Sequence, residues 1–149
     1  MLGTVATSRL LGGEETGGQL SLVELSGPPG TGPGAHVDPW RETFYVLEGE
    51  LRFLVERDGA VYPVSARQGD AVTIPAGVGH SFSVSGQEPA RYLIASTAAG
   101  IDAFFADAGD PIDATTPNGE PPAFNRDRLL AAFEKHGLSP YRCPAGSAG

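Results

Sequence analysis

The chain has 149 residues and a mass of 15.4 kDa, enough for one domain with a hydrophobic core. Ten Lys and Arg against 18 Asp and Glu give a formal charge of −8, which argues against a nucleic-acid backbone as partner. No apolar run approaches the ~20 residues that span a bilayer, and a single cysteine, Cys143 in a Pro- and Gly-containing tail, excludes an intramolecular disulfide or a cysteine-rich zinc site.

The first eleven residues lack the basic start and long apolar segment of a signal peptide, so the expected location is cytoplasmic. With 21 Gly and 13 Pro, the composition favours many turns and therefore an all-β domain. Short strands are predicted at residues 4–11 and 19–25, separated by a loop that the Gly-Gly pairs at 12–13 and 17–18 bracket. Residues 26–34 are dense in Gly and Pro and read as a rigid loop rather than a linker.

Residues 42–47 read as a strand that turns at Glu48-Gly49-Glu50 and returns over residues 51–56. Asp58-Gly59 is a hairpin signal, with residues 60–64 as the partner strand. A brief apolar strand follows at 71–74, ended by Pro75-Ala76-Gly77. From His80 to Val84 the alternation is strict, with His80, Phe82 and Val84 on one face and Ser81 and Ser83 on the other. Residues 91–97 form a last apolar strand. Strands at such short intervals favour a sandwich or barrel over a βαβ arrangement.

Beyond Thr97 the character changes. Residues 100–109 suit a short helix or turn, and 110–123, with four prolines, suit a loop that is either a surface connector or a lid. Asn125 caps a predicted helix over 126–136 that Gly137 stops, and Leu129, Leu130 and Phe133 give it an apolar stripe expected to pack on the sheet. His136, near the end of that helix, is read as solvent-facing and favoured by the helix dipole. The whole chain, 1–149, is taken as one domain, with a core over about residues 19–97 and an extension over 98–149.

The chemistry concentrates between Gly30 and Gly49. His36, Asp38 and Glu42 are spaced by two and then four residues, so an extended strand would place all three on one face, followed by Phe44 and Val46. An imidazole and two carboxylates beside large apolar residues are costly to bury without compensation, and a metal ion is the obvious source of it. The stretch fits G-x5-H-x-[H/D]-x3-E-x6-G, through Gly30, His36, Asp38, Glu42 and Gly49. A second stretch fits G-x5-P-x-G-x2-H, through Gly69, Pro75, Gly77 and His80.

Together the two stretches resemble the paired motifs of the cupin superfamily, over roughly residues 20–97. The resemblance implies a small β-barrel of two antiparallel sheets, jelly-roll-like, with a pocket at its open end and a C-terminal helical extension. It places His36, Glu42 and His80 at metal-ligand positions and implies one divalent ion of Fe, Mn, Ni or Zn. The sequence departs from the pattern at Asp38, where a second histidine is usual, and at Val84, where Asn is common.

Three readings of the site stay open. Asp38 joins the ligands, giving two histidines and two carboxylates. Alternatively, His36, Glu42 and His80 form a two-histidine, one-carboxylate triad, with Asp38 as an outer acceptor or general base. In the third, no metal is present, and Asp38 and Glu42 perform acid–base chemistry directly. Trp40, Phe44, Val46 and Phe82, with Val72 or Ile74, are expected in the pocket wall, Trp40 at its mouth.

The leading functional expectation, by similarity to quercetin-dioxygenase-like cupins, is an oxygenase acting on a small aromatic or enolic substrate, with Glu42 and Asp38 as catalytic groups. A cyclase, isomerase or dehydratase of secondary metabolism is the second, and a non-catalytic ligand- or metal-binding protein the third. A homodimer is expected, because pairing covers exposed strand edges.

Overall fold

The computed structural model describes residues 2–111 and 123–142. The expected lid over 110–123 and the tail containing Cys143 lie almost wholly outside the described residues.

Among the described residues, ten strands and two helices follow in the order β1 (Ala6–Leu11), β2 (Ser21–Gly27), β3 (His36–Val37), β4 (Arg41–Glu48), β5 (Glu50–Arg57), β6 (Ala60–Arg67), β7 (Ala71–Ile74), β8 (His80–Ser85), β9 (Ala90–Thr97), α1 (Ile101–Ala108), α2 (Arg126–His136) and β10 (Ser139–Pro140). One antiparallel sheet has the order β1-β2-β9-β4-β7, and the other β10-β3-β8-β5-β6. The result is the β-barrel of two antiparallel sheets that the motifs imply, with helices added at the C-terminal side.

Turn chemistry sets the register. Asp58 and Gly59 both take positive φ, 54° and 77°, as the two-residue turn between β5 and β6 requires. Gly49 turns β4 into β5 at φ 78°, and a Cβ there would meet the Pro89 carbonyl oxygen at 2.7 Å. Alternation then assigns the faces. On β4, Glu42, Phe44 and Val46 are buried while Arg41 and Tyr45 are exposed; on β8, His80, Phe82 and Val84 are the buried row.

The interior away from the helices is filled by rings. Phe44 stands edge-on to Phe53 and to Phe82, both at 4.9 Å between centroids, and Tyr92 meets Phe82 edge-on at 5.9 Å. Such pairs contribute about 0.5–1.5 kcal/mol each beyond area burial.

The helices cover one end of the barrel, and a buried polar pair fixes the first of them. Ser21 on β2 and Ser96 on β9 face each other in register, with their hydroxyls 2.8 Å apart. They also accept the N–H groups of Gly100 and Ile101, at 3.2 and 3.3 Å. The start of α1 has no side-chain cap of its own, so the sheet supplies the missing acceptors.

The second helix begins at Asn125, whose side chain accepts from the Arg128 N–H at 3.0 Å, and stops at Gly137 with φ 75°. Its stripe does not pack on the sheet as expected. Leu129 and Phe133 turn towards α1 and the barrel mouth, while Leu130 is left 41% exposed, because α1 occupies the space between α2 and the strands.

His136 is likewise not solvent-facing. Its side chain is 14% exposed, and its Nε2 lies 2.5 Å from the Asp107 carboxylate of α1. Lys135 reaches the same carboxylate at 2.8 Å, and Arg128 donates to the Asp107 carbonyl at 2.6 Å. The Lys135 hydrogen bond, followed by that of His136, holds the Asp107 carboxyl below its ordinary pKa. Among the described residues, no helix is long and apolar enough to cross a membrane.

Candidate functional site

His36, Asp38 and Glu42 converge, but not as one face of one strand. His36 belongs to β3 and pairs with β8; residues 38–40 leave the sheet, and Glu42 enters β4 in the opposite sheet. The chain crosses from one wall of the barrel to the other within six residues. His36 lies directly opposite His80 in the β3–β8 register, and the two imidazoles are 4.5 Å apart between centroids. A hydrogen bond of 2.9 Å from the Gly77 N–H to the Asp38 carbonyl ties the second motif to the first. Gly77 has φ 78°, which suits glycine at this turn.

Both histidines are oriented by the same local device. Nδ1 of His36 faces the Gly34 carbonyl oxygen at 2.8 Å, and Nδ1 of His80 faces the Val78 carbonyl oxygen at 3.0 Å. A carbonyl oxygen only accepts, so each Nδ1 carries the proton and donates it. In its neutral form each ring would therefore present the Nε2 lone pair to the interior. Nε2 of His36 lies 3.4 Å and Nε2 of His80 lies 3.3 Å from Oδ2 of Asp38, and Nε2 of His80 is 3.6 Å from Oε2 of Glu42.

These approaches bring lone pairs together without donors between them. All four residues are buried, at 3–5% exposure, and both Asp38 oxygens, Glu42 Oε2 and His80 Nε2 have no hydrogen-bond partner. Buried acceptors of this kind are costly unless a cation meets them. Among the described residues, His36, Asp38 and His80 offer ligand atoms that all lie within 4.8 Å of one another. The donor set of imidazole nitrogen and carboxylate oxygen fits a divalent ion such as zinc, iron or manganese.

Glu42 stands at the edge of this group. The Trp40 indole N–H donates to its Oε1 at 3.3 Å, leaving Oε2 directed at His80. Asp38 sits between the two imidazoles, because the turn at residues 38–40 folds its side chain inward, and Glu42 approaches His80 from the side.

Charge balance acts on His36. Burial by itself lowers its pKa; the adjacent Asp38 carboxylate, the Gly34 carbonyl and the Glu42 charge outweigh burial, so the pKa is raised. Tyr92 is buried beside the same charges. Burial first, then Glu42, pushes its phenol upward, so it stays a neutral O–H.

The cluster forms one end of a cavity of about 540 Å³. Trp40, Phe82, Tyr92 and Ile94 contribute the barrel side, and Ile101, Phe104, Phe105, Leu129 and Phe133 the helical side. Phe133 reaches within 6.1 Å of the His36 ring. The expected wall is corrected: Phe44 and Val46 are fully buried and do not line the cavity, nor do Val72 and Ile74. Phe44 and Val46 lie further along β4, while Ile74 is opposite Glu42 and Val72 opposite Phe44 in the register with β7.

Trp40 is a wall residue and only 7% exposed, so it does not sit at the mouth. It packs closely against Gly100, where a Cβ would lie 2.5 Å from the indole. Sequence reasoning missed the wall supplied by Leu2–Val5, by the 31–34 loop and by both helices. The apolar stripe of α2 was the available signal, but it does not say what the stripe covers.

Comparisons with known proteins agree with this architecture. Residues 24–96 match the cupin domain family model. The chain is similar to 3-hydroxyanthranilate 3,4-dioxygenase of Bos taurus, with 38% identity over 63 residues; these are 42% of this chain and 22% of that protein, so the match spans about a fifth of the relative's length. The structure of the EutQ protein of Clostridium difficile superposes with a TM-score of 0.52 at 28% identity, covering 64% of this chain and 68% of that one. Oxalate oxidase in complex with the substrate analogue glycolate superposes at 0.57 and 22% identity, over 76% of this chain and 63% of that chain, a likeness of fold. With both motifs in place on a two-sheet barrel, the chain carries a cupin domain over residues 24–96.

Proposed function

We propose that this protein is a metal-dependent enzyme acting on a small organic molecule, and that its reaction is the oxygenation of an aromatic or enolic substrate. The observation that carries the reading is the convergence of two imidazole Nε2 atoms on a buried carboxylate whose oxygens have no donor, at one end of an apolar cavity. His36, Asp38 and His80 would hold the ion, with Glu42 beside it. When bound, a divalent metal supplies Lewis acidity to a substrate oxygen and a common meeting point for substrate and dioxygen.

The chain's own residues supply the rest. The Gly34 and Val78 carbonyls keep both rings in the Nδ1–H tautomer, so the nitrogens facing the site are unprotonated when the rings are neutral. The Trp40 N–H anchors one oxygen of Glu42 and leaves the other to accept a proton from an enol or phenol. Tyr92 offers a neutral O–H in the same wall. The aromatic lining excludes water and orients a flat molecule. Similarity to a named dioxygenase over 63 residues supports the choice of oxygenation.

The test combines elemental analysis of purified protein with oxygen-electrode measurements on iron-, manganese-, nickel- and zinc-loaded samples, using catechols and flavonols as substrates. Stoichiometric metal and substrate-dependent oxygen uptake are expected. Turnover that continues without oxygen would replace the oxygenase with an isomerase or cyclase; failure to bind any of the four metals would remove the metal-dependent reading.

A further inference from the structure

The cavity carries the Asp38 and Glu42 carboxyl groups beside the His36–His80 pair and no Lys or Arg in its wall. Apart from the imidazoles His36 and, beside them, His80, its titratable residues are Asp38, Glu42 and the neutral Tyr92. None of the ten Lys and Arg lines it. Three on or near the helical cover are paired elsewhere: Arg128 with Asp110 and the Asp107 carbonyl, Lys135 with Asp107, and Arg9 with Glu15. The segments outside the described residues contain no Lys, Arg or His. Among the described residues, no Lys or Arg side chain is therefore placed to meet an anion in this space.

An anionic group of a bound molecule that is not next to the His36–Asp38–His80 cluster would stand against a largely apolar wall that supplies no Lys or Arg as counter-charge. The formal charge of −8 opposes the approach of anions as well. At the polar end, a bound divalent ion would attract only the oxygens placed next to it.

We infer that the substrate is a neutral, largely apolar molecule whose oxygen groups lie together at one end, against the His36–Asp38–His80 cluster, and whose remainder bears no anionic group. The inference rests on the reading of that cluster as the reaction centre. It separates this protein from the compounds named for two similar proteins, because oxalate and 3-hydroxyanthranilate are both carboxylic acids.

The experiment uses two probes with the same vicinal diol head and tails of equal length. 4-Propylcatechol ends in a methyl group, and 3-(3,4-dihydroxyphenyl)propanoate in a carboxylate. Binding to the full-length protein is measured by titration calorimetry without oxygen, with zinc present and with zinc omitted. Emission from Trp40, the single tryptophan and a residue of the cavity wall, locates the bound probe.

The neutral probe is expected to bind at least about tenfold more tightly than the acid, in both conditions, because the wall and not the ion sets the preference. Equal affinity, a preference for the acid, or no binding of the neutral probe below about 1 mM overturns the inference. Oxygen uptake is scored separately. Tight neutral binding with no uptake on any metal leaves the substrate class standing and removes the oxygenase. Uptake supported by acids alone does the opposite.

Discussion

Glu42 and Val46 lie on the same inward row of β4, yet they belong to two different kinds of interior. Around Phe44 and Val46 the barrel is filled with interlocking rings and aliphatic side chains, and every group there is apolar or hydrogen-bonded into the sheets. One turn of the alternation away, Glu42 joins Asp38 and His80 in a cluster where both Asp38 oxygens, Glu42 Oε2 and His80 Nε2 have no hydrogen-bond partner. The first region stabilises the fold by packing; the second leaves costs unmet that a cation would remove. A strand can serve both because its inward row passes from a closed end to an end that widens under α1 and α2.

Substitution should separate the two regions. Phe44→Ala removes the centre of the ring cluster and is expected to cost about 3–5 kcal/mol in urea unfolding, while the surviving folded protein still binds zinc. Loss of zinc binding without loss of stability would mean that the packed end shapes the metal cluster directly.

Asp38→Asn is the reciprocal change. It should weaken zinc binding by about 100-fold or more, because a charged donor set between 3.3 and 3.4 Å from two imidazoles is lost. Metal-free protein should be unchanged or more stable, since a buried carboxylate without partners is removed. Zinc affinity within a factor of about two of the parent would exclude Asp38 from the ligand set.

The smallest effect concerns the helical cover of the open end. Asp107 has a pKa below its ordinary value of 3.8, first through Lys135 and then His136. A depressed carboxylate contributes stability that is present above the unfolded pKa and is lost as pH falls through the folded value. The urea midpoint should therefore fall through this acid range, and Asp107→Asn should flatten that limb of the profile. An unaltered profile in the variant would show that the tie between α1 and α2 does not report on folding. Because the group is exposed, a modest shift is expected.

The strands were legible because their signals are local. Asp58-Gly59, Gly49 and the alternation from His80 to Val84 each act over a few residues, and the helix from Asn125 to Gly137 carries its own cap and stop. The four polar site residues were legible for a related reason: spacing within two short motifs marks them before any contact is known. The wall was not. Phe44 and Phe82 occupy equivalent inward positions on their strands, yet only Phe82 lines the cavity. Likewise, nothing near Ser21 or Ser96 reveals that they cap a helix that begins at residue 101.

By itself, then, the sequence determined the alternation of faces, the turns, the acidic balance and the identity of the donors His36, Asp38, Glu42 and His80. These depend on residue type and on neighbours along the chain. Tertiary structure alone decided that residues 38–40 cross between sheets, that Asp38 sits between two imidazoles, and that α1 and α2 roof an apolar cavity with no Lys or Arg in its wall. Those outcomes depend on which distant surfaces meet, and burial is a property of the whole packed chain rather than of any segment of it.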